Sequence, residues 1–402
     1  MTSLFGALSP AEPDPIIRLM QAFAADPRPD RIDLGVGVYR NAAGRTPVMA
    51  AVAAAEARIL ARQETKGYLG LAGDPGFLAA IRALVLGESV EVARLAAVAT
   101  PGGSSAIRQA LELVRAARPG ATVWISDPSW PNHAAIADAV GLARRSYRYL
   151  DAAHGSVAAD AMLADLEGAA AGDVVILQAC CHNPSGADPS AEDWAALAAL
   201  LDRRGLIPLV DVAYQGFGEG LAEDMAPLRR LAARFPELLV TVSGSKSFGL
   251  YRDRVGAVLA LCAGAADAEP VQGRLATLNR TAFAFPPDHG ARVVATILGD
   301  PVLRADWQAE LDGMRRRVAA NRVALAEALR SETGTDRFDF LTGHRGMFSL
   351  LGLAPGEVAQ LCSLHGLYLL GDSRANLAGL SAASLPRVAR AIAAVLGAPE
   401  RA

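Results

Sequence analysis

The sequence predicts an α/β fold, a mainly parallel sheet with helices on both faces, followed by a smaller segment of mixed helix and strand. Three observations carry this. Beyond residue 100, short apolar runs alternate with longer amphipathic ones, the order of repeated strand–helix units. The apolar runs are near-continuous rather than alternating, as in strands buried on both faces. And 402 residues, 52% of them hydrophobic, suffice for a large core and a second domain.

Taken in order, Met1–Pro15 holds Pro10, Pro13 and Pro15 and reads as an extended arm. A helix follows over Ile16–Ala25. Ile32–Tyr39 is strand-like and broken by glycine; its Gly35-Val36-Gly37 lacks the third glycine of a dinucleotide fingerprint. Val48–Leu60 is helical. The strand-like run Ala96–Thr100 leads into Pro101-Gly102-Gly103-Ser104-Ser105 and a helix over Ser104–Ala117. Strands are then expected at Thr122–Ser126, Val174–Ala179, Ile207–Val212, Leu238–Ser243 and Val255–Leu261. Helices lie between most of them, at Asn132–Leu142, Ala191–Arg203 and Met225–Arg234. A long charged helix, Asp306–Arg330, leads into the mixed segment ending near Leu396.

The totals exclude several classes. A net charge of −3 gives no electrostatic case for nucleic acid or anionic membrane. No apolar run approaches the roughly 20 residues of a spanning helix. Met1–Pro15 has neither a basic region nor an apolar core, so no secretory signal is expected. Cys180, Cys181, Cys262 and Cys362 are too few for a disulfide framework. A cytoplasmic protein is expected.

Only Lys66 and Lys246 are lysines; the other 37 basic residues are arginine. Arginine cannot lose its proton near neutral pH, whereas lysine can, and forms Schiff bases with carbonyl groups. Lys246 sits in Ser243-Gly244-Ser245-Lys246-Ser247 at the end of an expected strand, with Arg254 close by. Serine hydroxyls and an arginine fork hold phosphate dianions. An amine nucleophile beside a phosphate cradle points to pyridoxal 5′-phosphate.

Ligands of open α/β sheets collect beyond the carboxyl ends of the strands, and other polar residues fall there. Asp211 reads either as a helix N-cap or as the partner of a pyridine nitrogen. Tyr214 reads as a half-buried packing residue or a ring ligand, and Asn183-Pro184 as a turn or a site element. Gly103 and Ser104 open a helix, where backbone N–H groups meet anions, or form an ordinary capped loop. Trp130 could stack on a planar cofactor or belong to the core. Cys180, Cys181 and His182 suggest a metal, but neighbouring strand positions point to opposite faces, so no metal is expected.

Assembled, these segments resemble the class I pyridoxal-phosphate-dependent aminotransferases of fold type I, the aspartate and aromatic amino acid branch. The resemblance runs from Asp14-Pro15-Ile16 to Ala393. It rests on Gly35–Arg40, Thr65–Gly70, Ser129-Trp130-Pro131-Asn132-His133, Cys180–Gly186, Asp211–Phe217, Arg345–Ser349 and Ser373–Gly379. It implies an arm over 1–15, a small α+β domain from 16–45 and 313–402, and a large cofactor domain over 46–312.

By the same resemblance Lys246 holds the cofactor's aldehyde and moves the substrate proton. Asp211, backed by His133, pairs with the ring nitrogen. Asn183 and Tyr214 bind the ring hydroxyl, and Trp130 stacks on the ring. Gly103, Ser104, Ser243, Ser245, Arg254 and Tyr68 of a second subunit hold the phosphate. Arg374 clamps the α-carboxylate near the Gly37 backbone. Arg280, also from the second subunit, reads a distal carboxylate, so a homodimer with shared sites is implied. The resemblance further implies cis peptides at Asp127-Pro128 and Asn183-Pro184.

Aspartate-specific members usually follow the equivalent of Arg280 with asparagine, tyrosine and serine. Thr281-Ala282-Phe283-Ala284-Phe285 is more apolar, and with Gly371-Asp372-Ser373-Arg374 it looks closer to bacterial aromatic aminotransferases. Those accept aromatic and acidic amino acids with 2-oxoglutarate; an aspartate aminotransferase is the alternative. A β-lyase would leave Arg280 without purpose, and a cofactor-sensing regulator would need a DNA-binding module. Gly244, where larger residues are commoner, is expected to leave room behind Lys246.

Overall fold

The computed structural model describes residues 5, 6, 8, 9 and 14–397, so most of the expected arm over Met1–Pro15 lies outside the described residues. A seven-stranded sheet forms the centre. Its strands are β1 (Leu95–Pro101), β2 (Thr122–Asp127), β3 (Ala143–Arg148), β4 (Val174–Gln178), β5 (Ile207–Val212), β6 (Leu238–Ser243) and β7 (Val255–Leu261). In space they run β1-β7-β6-β5-β4-β2-β3, and β7 alone is antiparallel to its neighbours.

Burial on both faces explains the near-continuous apolar runs. Val174, Ile176, Leu209 and Val258 face one core, covered by helices including Gly102–Ala117. Their neighbours Val175, Leu177, Val210 and Leu259 face the other. A third apolar cluster joins Leu34 to residues between Leu325 and Ile392, bringing both ends of the chain together.

Several elements differ from expectation. Of the strand-like Ile32–Tyr39, only Ile32–Asp33 pairs, parallel to Leu367–Tyr368. The next residues curl instead, because Asn376 Nδ2 donates to the Val36 and Val38 carbonyls. β3 was not expected: Arg144, Arg145 and Arg148 leave it charged and largely exposed, as suits an edge strand. The helix Ala265–Ala282 was missed because Pro270 and Gly273 interrupt its pattern. The long charged helix runs over Pro301–Thr333, capped by Asp300, whose side chain accepts from the Val302 and Leu303 N–H groups. Both Asp127-Pro128 and Asn183-Pro184 are cis. Among the described residues no helix is long and apolar enough to cross a membrane.

Candidate active site

A cavity of about 200 Å³ opens at the carboxyl ends of β4, β5 and β6. Gly103, Ser104, Trp130, Asn183, Asp211, Tyr214, Ser243, Ser245, Lys246 and Arg254, all candidates named from the sequence, line it. Gln178 and Ala213 also line it and were not expected.

Strand register assembles the floor. Gln178, Asp211 and Thr241 sit side by side on β4, β5 and β6. Asp211, buried, accepts from Thr241 Oγ1 at 3.1 Å, and its other oxygen lies 3.3 Å from His133 Nε2. Ser129 Oγ lies 2.9 Å from His133 Nδ1, so the imidazole is held from both sides. Gln178 clamps Asn183 through the backbone, donating to its carbonyl at 3.0 Å and accepting its N–H at 2.9 Å. Gln178 and Thr241 act on other residues of the site, and their register beside Asp211 exists only in the folded sheet, so no sequence signal marks them.

Lys246 reaches over this floor, with Nζ 5.0 Å from the centre of the Tyr214 ring. Burial pushes its amine down to about 8, Arg254 and Arg374 push the same way, and Asp211 opposes them. The Tyr214 phenol is held neutral because burial raises it far above its ordinary range. Asn183 Nδ2 donates to that hydroxyl at 3.4 Å.

Beyond the lysine lies an anion cradle. The helix Gly102–Ala117 begins there, and its first residues offer free backbone N–H groups. Arg254, at φ 58°, donates to Ser245 Oγ at 3.3 Å. A Cβ at Gly102 would lie 2.3 Å from Arg254 Nη2, so glycine is required for that approach. Gly244 departs from expectation. A Cβ there would meet Val255 at 3.3 Å, so the glycine fits close packing between β6 and β7 and leaves no spare room.

Arg374 borders the site from the third cluster. It is 3% exposed and donates to Asn183 Oδ1 and the Gly35 carbonyl, both at 3.2 Å. Its Nε has no partner, and no carboxylate pairs with it among the described residues. A buried cation held only by neutral oxygens is a costly arrangement that an incoming carboxylate would relieve. Phe348 supports it, with the guanidinium 4.3 Å from the ring centre, and a Cβ at Gly37 would lie 2.6 Å from Phe348 Cζ. Arg322, which was not singled out, holds the Phe348 segment. It is 2% exposed and donates to the carbonyls of Arg345, Gly346 and Phe348 and to Ser349 Oγ.

Two expected residues lie elsewhere. Tyr68 is 86% exposed and stacks on Phe285 at 4.6 Å, and Arg280 sits 5.6 Å over the same ring. Neither lines the cavity of its own chain.

A family model described as aminotransferase class I and II matches residues 29–392. The chain belongs to this family. It is 50% identical over 389 residues to an aromatic-amino-acid aminotransferase of Paracoccus denitrificans, covering 97% of this chain and 99% of that one. It is 40% identical to the aspartate aminotransferase of Escherichia coli, over 98% of this chain and all of the other. Among solved structures, an aromatic-amino-acid aminotransferase of Burkholderia pseudomallei covalently bound to pyridoxal phosphate superposes with a TM-score of 0.95, at 41% identity, covering 98% and 100% of the two chains. Members of the family depend on pyridoxal phosphate, and the donor set fits that cofactor: a buried carboxylate, an amine held near neutrality and an anion cradle converge on one cavity.

Proposed function

We propose that this chain transfers amino groups between aromatic L-amino acids, with aspartate as a second donor, and 2-oxoglutarate. The observation that carries this is Arg374, a buried guanidinium lacking an anionic partner beside the Lys246 cavity. It fits the α-carboxylate of an amino acid. When bound, pyridoxal phosphate supplies an electron sink for the pair released as a Cα bond breaks.

The rest is the work of this chain. Asp211, oriented by His133 and Thr241, would hold a proton at the ring nitrogen. Asn183 and Tyr214 would hold the ring hydroxyl, and Trp130 would cover the ring. Gly103, Ser104, Ser243, Ser245 and Arg254 would hold the phosphate. Arg374, with the Gly37 backbone, fixes the α-carboxylate so that the Cα–H bond points at Lys246. Lys246 Nζ would take that proton and hold it within the cavity for return. An amine with a pKa near 8 is suited to that exchange.

The exposed Tyr68 and Arg280 complete the site of a second copy, so the working unit is a two-fold homodimer. Arg280 reads distal carboxylates, and the Phe283 and Phe285 neighbourhood receives aromatic side chains. Residues 16–45 with 313–402 form the small domain and 46–312 the large one. We place the reaction in the cytoplasm, a reading supported by four unbridged cysteines.

The test is kcat/KM for phenylalanine and aspartate, measured side by side with 2-oxoglutarate. Phenylalanine should be at least as good a donor as aspartate. A strong preference for aspartate would make this an aspartate aminotransferase, and no turnover of either would overturn the proposal.

A further inference from the structure

The adjacent thiols of Cys180 and Cys181 have no part in the chemistry above, yet their setting is specific. β4 ends at Gln178, so the strand alternation that would send their side chains to opposite faces has already stopped. Cys181 takes φ 55°, a left-handed conformation uncommon outside glycine. The result is convergence: both sulfurs and a carboxylate oxygen of Asp224 lie within 4.8 Å of one another. Cys180 also lines a separate cavity of about 430 Å³, on the side bordered by Asp188, Trp194, Glu219 and Asp224. Both thiols are buried, and the Cys180 side of the pair is open to an approach that does not pass through the Lys246 cavity.

Its chemistry is selective. Asp224 cannot serve as a third ligand, because its two oxygens already accept four backbone N–H groups, from Gly216, Gly218, Glu219 and Gly220. A divalent cation would need both thiols ionised. Burial pushes Cys181 up to about 11, and Cys180 is raised well above its ordinary value by its hydrogen bond to Cys181 and by burial. Alkylating reagents, which consume thiolates, are disfavoured for the same reason. What suits two close, protonated thiols is a neutral thiophilic centre that condenses with both.

We propose that Cys180 and Cys181 form a dithiol site for trivalent arsenicals, reached through the cavity beside Trp194 and Glu219. The step balances without a redox partner. With an organoarsine oxide, the arsenic–oxygen double bond breaks, two arsenic–sulfur bonds form, and the oxygen leaves with both thiol protons as water. Arsenic remains trivalent. The site is placed to be felt at the active centre: Cys181 Sγ lies 3.9 Å from the Tyr214 carbonyl, and Asn183 follows two residues later. A Cβ at Gly346 would lie 2.3 Å from Cys181 Cβ, so glycine there lets the two backbones approach closely.

The test uses the holoenzyme and phenylarsine oxide, with intact-mass measurement and peptide mapping. One phenylarsine per chain should be found on the peptide holding Cys180 and Cys181. 2,3-Dimercaptopropanol should remove it, and a monothiol such as glutathione should not. Cys180→Ala and Cys181→Ala should each weaken binding about 100-fold or more, since the second bond is then no longer intramolecular. A Cys262→Ala/Cys362→Ala double variant should bind like the parent. Zinc chloride at neutral pH should leave no retained metal. Absence of an adduct, its mapping to Cys262 or Cys362, or parent-like affinity in Cys180→Ala would overturn the proposal; so would zinc held at Cys180 and Cys181.

Discussion

The buried cavity and the exposed Tyr68–Phe285–Arg280 stack are built on opposite principles. Around Lys246 the main polar groups are fixed by neighbours: Asp211 is held by His133 and Thr241, Asn183 by Gln178, Arg374 by Asn183 and the Gly35 carbonyl. On the outer face, the Tyr68 ring and the Arg280 guanidinium both lie against the ring of Phe285, with Tyr68 almost wholly in solvent. Bond-making needs preorganised groups, and a single chain provides them. In the function proposed above, discrimination between side chains falls to groups that this chain holds outside its own cavity. The two regions should therefore fail differently when altered.

The largest effect is expected at the lysine. Lys246→Ala should lower turnover by about 10⁴-fold or more while leaving the fold and much of the cofactor affinity, because the ring and phosphate contacts remain. Borohydride should attach the cofactor covalently to the parent and not to the variant. Transamination near the parent rate would end the proposed role.

Arg280→Ala should act on one substrate class. Loss of a largely desolvated pair to the distal carboxylate costs on the order of 3–5 kcal/mol, or about 10²–10³-fold in kcat/KM for aspartate. Phenylalanine should lose far less. Equal losses would mean that Arg280 supports the shape of the pocket and does not read charge.

Arg322→Met tests the support behind Arg374. The change keeps the bulk but leaves three carbonyls and the Ser349 hydroxyl without their donor. Stability should fall by about 3 kcal/mol in a denaturant titration, and KM should rise for both substrates more than kcat falls. An unchanged KM would detach this arginine from the carboxylate clamp.

The smallest effect concerns pH. Lys246 in the cofactor-free protein titrates near 8, against 10.5 for an ordinary lysine. Between those values the unfolded chain binds more protons, so this group's contribution to stability rises with pH. Its destabilising effect is full below about pH 8 and fades toward 10.5. Cofactor-free Lys246→Ala should accordingly be more stable than the parent near neutrality, with the gap closing as pH rises. A gap that widened with pH would contradict the lowered amine.

Lys246, Asp211 and the serines around the lysine were legible because apolar strands ending in polar residues mark where a parallel sheet presents its ligands. His133, Arg374 and Gly37 stood out only through their family motifs, since each lies far along the chain from the residues it meets. Gln178, Thr241 and Arg322 stayed silent. They hold other residues of the protein, and nothing in one sequence marks a glutamine or threonine as standing in register with Asp211. Alternation failed as a guide at Cys180 and Cys181 for a local reason, the end of β4 and a left-handed residue. The charged edge strand Ala143–Arg148 and the proline-interrupted helix Ala265–Ala282 were missed where local composition opposed the fold that packing imposes.

The most direct test of a site divided between two copies is complementation. Lys246→Ala and Arg280→Ala subunits, each nearly inactive toward aspartate alone, should be co-expressed and their mixed dimers isolated by two different affinity tags. A shared site predicts recovered aspartate turnover, because one of the two sites in each mixed dimer then combines an intact Lys246 with an intact Arg280 from its partner. Mixed dimers as inactive toward aspartate as either variant alone would show that each chain supplies both residues to its own site.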